Sequence, residues 1–254
     1  KKLEIPFDFA KPTGLISYLI EIANVSNNEI VLDFFAGSAS TAHAVLNLNK
    51  VDNANRKYIC VQLPEKCDEK EEAFKAGFKT ISDVSKERIR RALKTISEEI
   101  TNENEKKKGQ LDFEQNDEEI QIDLGFKVLK LSDSNFKQWQ QINGKDAKAL
   151  EEQMKLFIDP VAENATIENM VYELLLKSGK DLNCKIEHAT NYFKINENEL
   201  VFMLEKATQE IIDAVLKEKP LKVVALDKLF KGNDQLKTNT VLQMKDAGVE
   251  FKTI

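Results

Sequence analysis

Hydrophobic positions along the chain fall into two recurring patterns. Short apolar runs closed by polar residues alternate with stretches in which apolar residues return every three or four positions, which predicts strands alternating with helices. After Lys11, Pro12 and Thr13, the residues Leu15, Ile16, Leu19, Ile20 and Ile22 recur at helical spacing, with Pro12 suited to a first turn; such a helix would pack on a sheet. Ile30, Val31 and Leu32 form a run of the kind buried in a parallel sheet, and it ends at Asp33. Thr41 to Leu48 has helix-forming character. Arg56 to Glu65 reads as a second strand around Tyr58, Ile59, Cys60 and Val61.

The same reading continues through the second half. Gly125 to Leu131 alternates as a strand, Leu150 to Ile158 and Thr166 to Lys177 are helical, and Cys184 to Ile195 pairs with Leu200 to Leu204 as a hairpin across Asn196 to Glu199. A helix over Ala207 to Lys217, a buried strand over Leu221 to Leu226, a helix over Gln235 to Ala247 and a strand over Val249 to Thr253 complete a small β-α-β unit. Lys231 to Thr238 lacks the spacing of a phosphate loop and reads as a capped helix entry, with Asn233 or Asp234 as cap. Phe136 and Trp139 are expected to pack the start of this half.

Charge locates a boundary. Residues 101–124 carry 3 basic and 8 acidic residues, whereas the stretches on either side are nearly balanced. That segment is polar and poor in aromatics, which predicts a linker or surface loop between a domain over 1–100 and another over 125–254. A net charge of −6 argues against nonspecific duplex binding, which depends on Lys and Arg neutralising phosphates. One basic cluster stands out: Lys86, Arg88, Arg90, Arg91 and Lys94. Lys86, Arg90 and Lys94 share a helix face that could meet DNA or a partner, or simply water, and Glu87 and Arg91 form an i, i+4 pair.

No run of about 18 apolar residues occurs, and the first residues lack a continuous apolar segment, so neither a membrane span nor export is expected. Three cysteines, one of them in a predicted buried strand, fit a reducing cytoplasm. No cysteine or histidine stands at metal-ligand spacing, and no metal site is expected.

The chemistry concentrates in Val31 to Thr41, VLDFFAGSAST. Asp33 marks the carboxyl end of a strand, where open α/β sheets place their ligands. Ala36, Gly37, Ser38, Ala39 and Ser40 are all small, so the backbone can turn sharply and approach a bound molecule, and Gly37 is free to take positive φ. The helix that follows offers unpaired N–H groups in its first turn. Gln62 stands where a doubly wound fold supplies a group for a ribose hydroxyl, although an acid is the usual choice there.

VLDFFAGSAST followed by AHAVLNLN, then NRKYICVQLPE and SKERIRRAL, resembles the S-adenosylmethionine-binding half of the modification subunit of type III restriction-modification systems, which are adenine-specific DNA methyltransferases. The family turn usually reads Phe-x-Gly-x-Gly, and here Phe35, Gly37 and Ala39 occupy those positions, so the last glycine is replaced by the smallest side chain. The resemblance implies a partial Rossmann-like, S-adenosylmethionine-dependent methyltransferase sheet followed by a smaller α/β domain. It implies cofactor contacts from Asp33, Phe34, Phe35, Ala36, Gly37, Ser38, Ser40, Thr41 and Gln62. Lys11, Pro12 and Thr13 would lie near the methionine end; from the residues alone, Lys11 reads as a solvated residue at a helix start. The family's Asp-Pro-Pro-Tyr type motif, which holds the flipped adenine, does not occur: the nearest sequence, Asp159-Pro160-Val161-Ala162, lacks the second proline and the aromatic. In the permuted class that motif and the target-recognition region precede the cofactor turn, so the chain is expected to be a carboxy-terminal fragment, inactive alone, whose second half joins a second copy and a restriction subunit. DNA would be met through the full-length protein.

Two other classes remain. A nicotinamide-dependent oxidoreductase would call for a fuller G-x-G-x-x-G turn and an acid at the second strand end, and the chain has neither. A pure interaction module would close the small-residue turn by packing.

Overall fold

The computed structural model describes residues 3, 5–7, 10–109, 120, 122–139, 147–156 and 159–254. The chain divides into two compact units, Lys1–Val128 and Leu129–Ile254, and each is α/β. Among the described residues no helix is long and apolar enough to cross a membrane.

In the first unit the order is α1 (Thr13–Ile22), β1 (Ile30–Asp33), α2 (Ser40–Asp52), β2 (Lys57–Cys60), α3 (Glu72–Lys75) and α4 (Ile81–Gly109). β1 and β2 pair in parallel, with Ile30 opposite Lys57 and Asp33 opposite Cys60, and α2 is the crossover between them. Helix α2 carries alanines on two faces, which lets its neighbours approach closely. Ala44, Val45 and Leu48 meet Ile16 and Ile20 of α1 together with Val31 and Tyr58. On the other side, Ala42 packs with Ile89, and Leu46 with Ile96 and Ile100, all on α4. Each of the larger side chains so buried contributes about 1.5–3 kcal/mol. Polar contacts close the periphery. Lys50 reaches Glu99 at 3.1 Å and Glu103 at 2.6 Å on α4, and Arg56 holds Asp52 while donating to the Val25 carbonyl at 2.8 Å.

One face of this pair of strands is covered and the other is open. Val31, Tyr58 and Cys60 point to α2 and α4, whereas Ile30, Leu32 and Ile59 are 53%, 58% and 49% exposed. The expected helix over Leu15–Ile22 packs on α2 and not against the open sheet face: Ile20 is buried, while Leu15, Leu19 and Ile22 face solvent.

The stretch 101–124, read as a linker, begins inside a helix, because Thr101–Gly109 complete α4. Beyond 110–119 and 121, which lie outside the described residues, Ile120, Ile122 and Leu124 pack beside Leu46, Ile96 and Ile100. The strand expected over Gly125–Leu131 does not form. Phe126 packs beside Ala39, Ala42 and Ile89, and among the described residues no strand pairs with this segment.

The second unit holds α5 (Ala147–Leu156), α6 (Ile167–Lys177), β3 (Ile186–His188), β4 (Phe193–Ile195), β5 (Leu200–Met203), α7 (Gln209–Glu218), β6 (Lys222–Ala225), a 3-10 turn over Asp227–Phe230, α8 (Asp234–Asp246) and β7 (Glu250–Thr253). Its five strands lie in the order β3-β4-β5-β6-β7: the first two steps are antiparallel, the last two parallel, with α7 and α8 as crossovers. The long strand expected over Cys184–Ile195 is two, since Ala189 and Tyr192 close a turn between β3 and β4. Both faces are buried. Leu200, Phe202 and Val224 pack with Met170, Leu174 and Leu175 of α6, while Val201, Met203, Val223 and Ala225 pack with Ile212 and Val215 of α7 and Met244 of α8. Leu200–Met203 is therefore apolar at every position, as a strand buried on two sides must be. Asn233 caps α8 by accepting from the Leu236 N–H at 3.0 Å. Phe136 is buried in the α6 core, and Trp139, expected beside it, is exposed.

Glu173 on α6 organises the entry to this unit. Its carboxylate accepts from the Ser134 hydroxyl, from the Asn135 N–H at 2.6 Å and from Asn135 Nδ2 at 2.9 Å, and pairs with Lys177 at 2.8 Å. Burial pushes its pKa up, but these partners outweigh it and bring the group from 4.5 to about 2. A depressed carboxylate stabilises above its unfolded pKa. The contribution, up to about 3 kcal/mol at neutral pH, is lost as the pH falls from about 4.5 toward 2. Urea unfolding followed by the fluorescence of Trp139, the single tryptophan, is expected to show this loss in the wild-type chain. Glu173→Gln should be destabilised at pH 7 and nearly flat across that window.

Candidate ligand turn at the end of β1

Two residues in the turn between β1 and α2 adopt left-handed conformations: Gly37 at φ 52° and Ala39 at φ 59°, ψ 39°. That geometry reverses the chain within a few residues, and the surrounding groups hold it. Asp33 Oδ1 accepts from the Phe35 N–H at 3.1 Å, and Oδ2 accepts from the Thr41 hydroxyl at 2.6 Å, tying the strand end to the first turn of α2. Gln62, just past β2, accepts from the Gly37 N–H at 2.8 Å through Oε1. The Ala36 N–H reaches the Val61 carbonyl at 3.1 Å, so the parallel pairing of β1 and β2 continues into the turn.

Helix α4 braces the turn from behind. Its start is fixed by reciprocal capping between Thr80 and Asp83: Thr80 Oγ1 accepts from the Asp83 N–H, and Asp83 Oδ2 accepts from the Thr80 N–H at 3.1 Å. This phase puts Ser85 and Arg88 one turn apart on the side facing α2. The Ser85 hydroxyl donates to the Gly37 carbonyl, and Arg88 Nη1 donates to Ser40 Oγ at 2.9 Å. Ser38 and Ser40 bring their own hydroxyls to 3.4 Å of each other.

The structure therefore brings Asp33, Ala36, Gly37, Ser38, Ser40, Thr41 and Gln62 together. Phe34 and Phe35 stand beside them, both exposed, with ring centroids 5.1 Å apart. Lys11 and Pro12 are exposed at the start of α1, and among the described residues no hydrogen bond joins Lys11, Pro12 or Thr13 to the turn. Ser85 and Arg88 did not stand out in the sequence as turn contacts. A signal was present: both fall on the apolar stripe of Val84, Ile89, Ala92 and Ile96, opposite the charged face of Lys86, Arg90 and Lys94. Arg88 is thus a buried residue, while the Glu87–Arg91 pair forms at 2.7 Å as its spacing predicts.

Burial shifts two titratable groups beside the turn. Burial and the neighbouring Arg88 charge bring the His43 pKa down to about 4, against a smaller opposing effect of Glu99, and its Nδ1 is buried without a partner. Burial and the Asp33 carboxylate push the Cys60 thiol up to about 11, so it is no thiolate nucleophile. Among the described residues no three His, Cys, Asp or Glu side chains gather as a metal site.

The two left-handed residues separate strain from space. A Cβ at Gly37 would meet only Phe7 Cζ, at 3.8 Å, so Gly37→Ala is expected to cost about 1–2 kcal/mol through the left-handed backbone alone. Ala39→Gly relieves a similar strain but removes a fully buried methyl worth about 0.8 kcal/mol, and should leave stability within about 1 kcal/mol of wild type. Urea titration of both variants tests this; a large loss for Ala39→Gly would contradict the strain.

Residues 2–69 match the family model described as DNA methylase. The chain is 47% identical over 89 residues to the type III restriction-modification enzyme EcoP15I Mod subunit of Escherichia coli, and 42% identical over 90 residues to the StyLTI Mod subunit of Salmonella typhimurium. Each match covers 35% of this chain and 14% of the relative. It is also 37% identical over 83 residues, 32% of this chain and 20% of the relative, to the type II methyltransferase M.KpnI of Klebsiella pneumoniae. The matched stretch thus spans about a seventh of the length of the Mod subunits, and within it the chain is similar to their sequence.

Proposed function

We propose that the first unit binds S-adenosylmethionine as part of a DNA adenine methyltransferase of the type III modification class. The observation that carries this reading is the turn itself: a parallel strand ending in Asp33, two left-handed small residues and an uncapped helix start, lying in the stretch that matches the DNA methylase family. In this reading β1, α2 and β2 are part of a Rossmann-like sheet. Ala36, Gly37 and Ser38 are small enough for a ligand to approach the backbone closely, the exposed faces of Phe34 and Phe35 suit a sulfonium cation or a purine, and Asp33, Ser40, Thr41 and Gln62 hold the turn in shape. Lys11, Pro12 and Thr13 would flank the methionine end. When bound, S-adenosylmethionine supplies the methyl group that passes to the exocyclic amine of adenine.

No Asp-Pro-Pro-Tyr type sequence occurs among the 254 residues, so the group that accepts hydrogen bonds from the adenine amine would come from further polypeptide. The open sheet face with Ile30, Leu32 and Ile59 is the apolar surface on which such polypeptide would pack. We read residues 125–254 as an assembly domain serving a second modification subunit and a restriction subunit, and the setting as cytoplasmic. DNA would be engaged by the whole enzyme.

Calorimetry with S-adenosylmethionine, S-adenosylhomocysteine and NAD tests the reading. The two adenosyl ligands are expected to bind and NAD not to; preferential binding of NAD would overturn it. The chain alone is expected to transfer no labelled methyl group to DNA, and measurable transfer would refute the assignment of the adenine-binding group to other polypeptide.

A further inference from the structure

β7 ends the sheet of the second unit, and among the described residues no strand pairs with its outer edge. The ladder to β6 fixes which of its backbone groups face outward. Glu250 donates its N–H to the Leu221 carbonyl and Ile254 donates to the Ala225 carbonyl, both at 3.0 Å, and Lys252 lies in phase with them. Phe251 and Thr253, out of phase, turn their N–H and C=O groups to the open side. The side chains sort by the same alternation. Phe251 packs with the core under α7 and α8 and Ile254 with the core under α6, which puts Glu250 and Lys252 on the α6 side. There Glu250 pairs with Lys222 of β6 at 2.6 Å and keeps a 64% exposed side chain, while Lys252 is exposed with no carboxylate partner among the described residues.

This edge is complementary to itself. In a second copy laid antiparallel, with Phe251 opposite its own counterpart, the two Phe251 residues exchange both backbone hydrogen bonds. Glu250 of each copy then stands directly opposite Lys252 of the other, at the sites without backbone bonds where facing Cα atoms are about 4.5 Å apart and side chains meet most closely. Two symmetric ion pairs result. The neighbouring symmetric registers set Glu250 against Glu250 or Lys252 against Lys252, so charge selects this one. Helix α8, the crossover from β6 to β7, fits the same arrangement. Gln243 meets Gln209 of α7 at 3.0 Å and Thr240 and Met244 are buried toward the sheet, so Val241, 43% exposed, lies on the flank of α8 away from α7 and beside the open edge. Joining two copies sets α8 two strand spacings from its counterpart, about 10 Å, the separation of packed helices.

We infer that the free edge of β7 pairs antiparallel with β7 of a second copy of this chain, joining two five-stranded sheets into one, with Glu250 and Lys252 selecting the register. The pairing presupposes the reading of residues 125–254 as an assembly domain and supplies the strand, the register and the side chains through which the second copy is met.

Sedimentation equilibrium of the full 254-residue chain is expected to show a dimer. Glu250→Lys and Lys252→Glu each set like charges opposite one another in both pairs and should weaken it about tenfold, less at high salt. An equimolar mixture of the two variants brings opposite charges together again in both pairs and should regain the affinity, a rescue that the Lys222 contact within one copy does not predict. Carbodiimide coupling of mixed isotope-labelled and unlabelled wild-type chains should join Glu250 of one copy to Lys252 of another. A dimer that neither variant weakens, or one without rescue in the mixture, overturns the β7 pairing and leaves the assembly reading standing; a chain that stays monomeric overturns both. If Glu250→Lys fails to fold for want of the Lys222 contact, Lys252→Glu and the coupled peptide decide.

Discussion

Two left-handed residues within three positions are a conformation that an isolated chain would abandon, and the turn after β1 exists because its surroundings outweigh that cost. Gly37 adopts it without a Cβ and Ala39 with one. The compensation comes from three directions: Asp33 from the strand, Gln62 from the neighbouring strand, and Ser85 with Arg88 from α4. Each depends on a larger element. Gln62 is in reach because β2 pairs in parallel with β1, and Ser85 is in phase because the Thr80–Asp83 cap fixes where α4 begins.

The same bracing sorts the polar groups of the turn by task. Asp33 and Gln62 stand where a ligand-binding acid and a ribose partner are expected, yet their acceptor atoms are engaged by Thr41, Phe35 and Gly37. Their work in the described structure is to shape the turn.

The two units also differ in how their sheets meet solvent. In the second, every residue of β5 is buried because helices cover both faces, and the sheet closes its own core. In the first, α2 and α4 cover one face, and Ile30, Leu32 and Ile59 leave the other apolar and open. Parallel strands are ordinarily covered on both sides, and here one face of the described pair is exposed.

Local pattern alone determined most of the elements. The run Ile30–Leu32, the helices after Pro12 and Thr41, the hairpin across Asn196–Glu199 and the closing β-α-β unit are legible because periodicities of two and near four need no knowledge of distant contacts. The tight turn after β1 was legible as a stretch of small residues, since smallness and a glycine are sequence properties. What only tertiary structure decided were matters of partnership. Gly125–Leu131 alternates like a strand but joins no sheet among the described residues, and the polar start of 101–124 is helical because α4 runs on, with Lys50 reaching Glu103. Arg88 reads as one member of a basic cluster until α4 packs against α2 and turns it inward to Ser40. Hydrogen-bond partners 25 to 48 residues apart, such as Gln62 with Gly37 or Ser85 with Gly37, leave no periodic trace in a sequence, because it is the packing of whole elements that brings them within bonding distance.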